Sequence, residues 1–113
     1  MPLDGGRGNE GGGDFLIEVG RGNNVRSAPI SAPMHYVYLI QSANNRGQHY
    51  VGQTGDLKAR IAEHNAGKST HTARYRPWNL VCFLGFAEER KAIEFERYLK
   101  SGSGKTFLRR HFI

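Results

Sequence analysis

The chain has little of what secreted modules, zinc modules and membrane proteins rely on. Cys82 is its single cysteine, so an intramolecular disulfide and a Cys-x-x-Cys zinc pair are both excluded. No apolar run approaches the length of a membrane span, and the first residues lack a basic stretch followed by an apolar core. A soluble, cytoplasmic protein with no membrane partner is the expectation. Acidic residues are also scarce, ten against sixteen Lys and Arg, for a formal net charge of +6. The scarcity is uneven. Residues 1–33 hold three arginines against four acids, whereas residues 34–113 hold thirteen Lys and Arg against six acids, so the positive charge belongs to the second part. Basic residues interleaved with Tyr36, Tyr38, Tyr50, Tyr75 and Trp78 suit a polyanion, nucleic acid above all, although a solvated basic surface has the same composition.

At 113 residues there is room for one domain with a modest core and one site. Residues 1–33 carry eight of the fifteen glycines and one short apolar patch, "FLIEV" at 15–19. Such a segment cannot offset its ordering entropy by burial, so it reads as a disordered Gly-rich tail ahead of a domain over 34–113. Met34, directly before the first patterned run, reads as an alternative start.

From His35 the pattern becomes regular. "HYVYLIQS", the turn residues "ANNRGQ" and "HYVGQT" predict a β-hairpin. "GDLKARIAEHNAG" predicts a helix with Asp56 as N-cap and Gly67 as its stop. After the polar loop "KSTHTARYRPW", "NLVCFLGF" reads as a buried strand with Cys82 as an inert buried thiol. "AEERKAIEFERYLKS" reads as a helix and "GSGKTFLRRHF" as a short terminal turn or helix. The fold class expected is α+β, a small three-stranded antiparallel sheet flanked by helices in the order ββαβα.

The first helix places charge where leucines would be expected. With Leu57 as zero and about 100° per residue, Arg60 falls near 300°, Ile61 near 40° and His64 near 340°. In the second helix, with Ile93 as zero, Glu96 falls near 300°, between Ala92 and the apolar arc. Charges on packed faces need a partner or a task. Two tasks stay open: a structural Arg60–Glu96 bridge, or a phosphate clamp and a metal carboxylate around one cleft. "SGSGKT" at 101–106 is no phosphate loop, because Leu99 stands where that motif requires glycine. His71 reads as solvated rather than as a metal partner of His64, and Trp78 as the edge of a core.

"YVY" at 36–38 followed by "YVG" at 50–52 resembles the two halves of the motif that names the GIY-YIG endonuclease superfamily. The resemblance continues through Arg60, ten residues past Tyr50, then "EHN" at 63–65, "RPW" at 76–78 and the glutamate four before a lysine in "ERYLKSGSGK". It spans residues 35 to about 110 and looks closest to small single-domain members of UvrC-like type, related to the N-terminal domain of the excision-repair nuclease. "YVY" departs from Gly-Ile-Tyr but keeps its last tyrosine, and Gln53 stands where the excision-repair type has a lysine.

The resemblance implies an active site of Tyr38, Tyr50, Arg60, His64 and Glu96, with Glu96 binding one divalent cation, Mg²⁺ or Mn²⁺. Tyr38 is the expected proximal base, a phenol whose pKa the metal and Arg60 must lower. The implied activity is metal-dependent endonucleolytic cleavage of single-stranded, branched or damaged DNA, in repair or processing, with RNA a second candidate substrate. Lys58, Lys68, Arg74, Arg76, Lys100, Lys105 and Arg109 are the expected backbone contacts. A monomer or weak dimer is expected, and a protein partner suits so minimal a domain. Two alternatives are a nucleic-acid-binding module with a degraded site and a structural α+β protein held by an Arg60–Glu96 bridge.

Overall fold

The computed structural model describes Pro29 and residues 32–113, so the expectation of a disordered tail over 1–33 falls almost wholly outside the described residues. The elements are β1 (His35–Ser42), β2 (His49–Thr54), α1 (Leu57–Asn65), a 3₁₀ turn (Ala73–Tyr75), β3 (Trp78–Phe86), α2 (Glu89–Leu99) and α3 (Gly102–His111). They form the expected α+β arrangement, a three-stranded antiparallel sheet in the order β2-β1-β3.

The alternation in "HYVYLIQS" decides what each face of the sheet touches, because successive strand residues point to opposite sides. Val37 and Leu39 join Val51, Ala92, Leu99 and Leu108 in a hydrocarbon core under α2 and α3. Tyr38 and Ile40 join Trp78, with Tyr50, Leu57, Ile61 and Tyr75, in a second core under α1. As the central strand β1 is covered on both faces, and Val37 through Ile40 are each at most 2% exposed.

The ends of α1 follow from local chemistry. The Asp56 carboxylate accepts from the Ala59 amide at 3.1 Å. Gly67 takes φ +79°, which lets its own amide reach His64 O and the Lys68 amide reach Glu63 O at 3.2 and 3.1 Å. Beyond α1, the Asn65 side chain accepts from the Trp78 amide at 2.6 Å and donates to Trp78 O at 3.2 Å, pinning the start of β3.

Some expectations need correction, while the terminal stretch takes the helical of its two expected forms. "NLVCFLGF" is not a buried strand: β3 is a sheet edge, and Leu80, Phe83 and Leu84 are 42%, 47% and 38% exposed. Cys82 is accordingly half-buried, with burial still raising its thiol pKa. Ile93, the reference of the second wheel, points outward, so the packed arc of α2 is Ala92, Phe95 and Leu99, with Glu96 at its border. The terminal stretch is a ten-residue helix, α3, started by Ser101, whose hydroxyl accepts from the Gly104 amide at 3.2 Å. A side chain at Gly104 would collide with the backbone of Tyr98 and Leu99, so this glycine permits α3 to meet α2 closely rather than making a turn.

Candidate active site

The site grows out of the α1 face of the sheet. Tyr38, in mid-β1, lies directly across from Gly52 on β2. A Cβ at position 52 would overlap the Tyr38 phenol, so the glycine of "YVG" provides the space in which that ring lies. Tyr50, two residues earlier on β2, shares the face, its ring 6.3 Å from Tyr38 and 5.0 Å from His64.

His64 occupies the position on α1 that the wheel marked as packed, and it is fully buried. Its Nε2 is 2.8 Å from Tyr38 Oη and its Nδ1 is 2.7 Å from Thr72 Oγ1. Thr72 is also buried, and its backbone carbonyl accepts from the Trp78 indole at 2.9 Å, so the loop carrying it is anchored to β3. Tyr38, His64 and Thr72 thus form a buried chain of hydrogen bonds. Burial, then the nearby Arg60 charge, lowers the His64 pKa from the usual imidazole value, which favours a neutral ring. A neutral ring donates from one nitrogen and accepts at the other, so it can give Nδ1–H to Thr72 and accept the Tyr38 proton at Nε2.

Arg60, one turn before His64, is partly exposed and donates to Glu63 Oε1 at 2.8 Å. That bond holds the guanidinium pKa above its usual value, so Arg60 stays charged. Burial raises the Tyr38 pKa and Arg60 opposes the rise, while Tyr50 and Glu96 add to it. Burial thus sets the phenol above its ordinary value, and the lowering expected of a metal and Arg60 acts against that rise. Glu96 accepts from Lys100 Nζ at 2.8 Å, and that ammonium stands 6.0 Å from the Tyr50 ring centre. The structural Arg60–Glu96 bridge is not what forms: each takes a neighbour on its own helix or at that helix's end.

Among the described residues no group of three or more His, Cys, Asp or Glu gathers as a metal cage. One carboxylate still suits Mg²⁺ or Mn²⁺, hard ions that keep several waters and take further oxygens from a phosphate. Glu96 meets that requirement once Lys100 yields its place.

The expected backbone contacts divide. Lys100, Lys105 and Arg109 border one cleft of about 460 Å³ that also reaches Tyr50. Lys58 lies on a different groove between α1 and β3. Arg74 lies over the Tyr75 ring at 5.2 Å, and Arg76 donates to Ala73 O at 2.8 Å and packs on Gly67. Lys68 and His71 are both exposed at the surface. Trp78 belongs to the core, as read from the sequence. Thr72 and Asn65 are the residues that sequence reasoning missed. Asn65 had a signal, its place in "EHN", whereas Thr72 in a polar loop had none.

The GIY-YIG catalytic domain model matches residues 34–109, more than half of the chain. The chain belongs to the GIY-YIG catalytic domain family, so its domain is of the endonuclease class. Among its relatives, the UPF0213 protein of Lacticaseibacillus paracasei is 39% identical over 72 residues, 63% of this chain and 79% of that protein. The structure-specific endonuclease subunit SLX1 homolog 1 of Trypanosoma cruzi is 39% identical over 69 residues, 55% of this chain but 13% of that protein. The chain thus spans about an eighth of the SLX1 relative. A solved UPF0213 protein of Bacillus halodurans is 32% identical, covering 66% of this chain and 81% of its own, with a TM-score of 0.42. No helix among the described residues is long and apolar enough to cross a membrane.

Proposed function

We propose that the chain is a divalent-metal-dependent DNA endonuclease directed to branched, damaged or single-stranded features in repair or processing. The observation that carries this reading is the buried Tyr38–His64–Thr72 chain beside Arg60 and Glu96. Phosphodiester hydrolysis is mostly positioning and charge stabilisation, since an attacking oxygen meets negative charge. Arg60, charged and partly exposed, grips the scissile phosphate with a planar guanidinium able to donate twice. Tyr38 takes a proton from the attacking water as its own phenol proton passes to His64 Nε2, so no free tyrosinate has to exist beforehand. Thr72 holds the imidazole in the tautomer that leaves Nε2 open, and Tyr50 packs against the ring. Water oxygen bonds to phosphorus, the 3′ oxygen leaves, and the proton rests on His64. Glu96 is the residue that would hold the divalent cation, whose Lewis acidity would stabilise charge on the phosphate and the leaving oxygen.

The Lys100–Glu96 pair favours a second reading, a nucleic-acid-binding module whose carboxylate is permanently satisfied. Cleavage of labelled single-stranded, duplex and branched DNA by wild type and Glu96→Ala, each with Mg²⁺, Mn²⁺ or EDTA, separates the two. The nuclease reading expects metal-dependent cutting that falls at least about 10²-fold in the variant while DNA stays bound. DNA bound but uncut by wild type under every condition establishes the binding module instead.

A further inference from the structure

Among the hollows on the surface of the described residues, two are large enough for a small molecule. The larger, about 730 Å³, lies between α1 and β3, where Tyr36, Leu80 and Phe83 supply apolar walls and Lys58 is offset by Asp56. The smaller, about 460 Å³, opens between the β1–β2 hairpin and α3. Its floor is apolar, from Val51, Leu99 and Leu108, and its rim carries Lys100, Lys105 and Arg109 with no carboxylate side chain among the lining residues. Tyr50 is shared between this cleft and the Tyr38–His64 cluster, and Lys100 is shared with Glu96. Charge and continuity therefore set the smaller cleft apart.

We propose that this cleft receives one unstacked nucleotide next to the scissile phosphate, with its base over the apolar floor against Tyr50 and its flanking phosphates on Lys105 and Arg109. The inference rests on the nuclease reading and adds the feature that substrate must offer. The volume falls within the roughly 300–1,000 Å³ of clefts that hold a small molecule, enough for one nucleotide. An aromatic wall accepts any base by its π-face, and cations on the rim take phosphate without regard to sequence. A base inside a duplex stack cannot enter without leaving it, and leaving costs least where the base is already unpaired, mismatched or damaged. Junctions, flaps and lesions are selected because they present such a base beside the cut, with no base-edge reading required.

The test places 2-aminopurine, a fluorescent base that reports unstacking, at each position around the branch point of a branched DNA, adds full-length protein in EDTA so that binding proceeds without cleavage, and maps any Mg²⁺-dependent cut in the same DNA. The expected result is a fluorescence change confined to one flanking position, retained in Glu96→Ala and lost in the Lys105→Glu/Arg109→Glu double variant, whose fold is checked by circular dichroism. An abasic site at that position slows Mg²⁺-dependent cutting by about tenfold, the scale of one base stacked on an aromatic ring. Cutting of the branched DNA with no responsive position overturns the cleft assignment and leaves the nuclease reading intact. A responsive position in DNA that is never cut overturns the nuclease reading alone, and neither response overturns both.

Discussion

The two faces of the sheet are built to different standards, and β1 serves both. Toward α2 and α3 it offers Val37 and Leu39 to a core of aliphatic and phenylalanine side chains. Toward α1 it offers Tyr38 and Ile40 to a core of tyrosines and Trp78. The buried polar residues also belong to the α1 side: Ser42 donates to Tyr75 O at 2.6 Å, and His64 and Thr72 bond each other. Buried polar groups are costly unless paired, and here pairing makes a chain that can move a proton. The hydrocarbon face needs no pairing and provides cohesion. The chemistry is thus kept on one side of a strand whose other side supplies most of the hold.

Substitutions on the two faces should fail in different ways, and that is the means of breaking the comparison. The largest expected effect is in Tyr38→Phe: cleavage falls about 10²–10⁴-fold, the range for a proton-transfer group. Its stability loss, read from urea unfolding, is about 1–3 kcal/mol for the unsatisfied His64 nitrogen. Val37→Ala reverses the balance, with about 2 kcal/mol of stability lost to a cavity and turnover per folded molecule kept. Equal losses of folded-state turnover in the two variants would show that the faces are not separable. Smaller effects sharpen the picture at the outer end of the chain. Thr72→Val lowers cleavage about 10–100-fold, as for removal of an orienting partner.

His64 sets the sign of the pH dependence. Its folded pKa is depressed while the unfolded chain titrates near 6.5, so the unfolded state binds more protons as pH falls. Stability from this group is whole above about pH 6.5 and drains away below it, toward the depressed value. Unfolding midpoints measured between neutral and mildly acidic pH carry that slope in wild type and lose it in His64→Gln.

Local signals made the hairpin and α1 legible, since alternation, Asp56 and Gly67 act within a few residues of themselves. Glu96 and Lys100 show their pairing in a four-residue spacing, as Arg60 and Glu63 do in a three-residue one. What was hidden depends on neighbours distant in sequence. An apolar strand reads alike at an edge and in a centre, so the exposure of β3 follows only from the strand order. The phase of α2 needs the side on which the sheet lies, which no wheel contains. Gly104 looks like turn chemistry until α2 is seen against it. Thr72 joins the site only because the loop is pinned by Trp78.

The overlap that any side chain at position 52 would have with the Tyr38 ring makes the two positions a single unit of inheritance. A lineage that gave up the phenol would at once be free to fill position 52, and one that filled position 52 first would evict the phenol. Wherever the tyrosine opposite is kept, position 52 is therefore held to glycine, so a side chain there is the mark of a phenol displaced or lost.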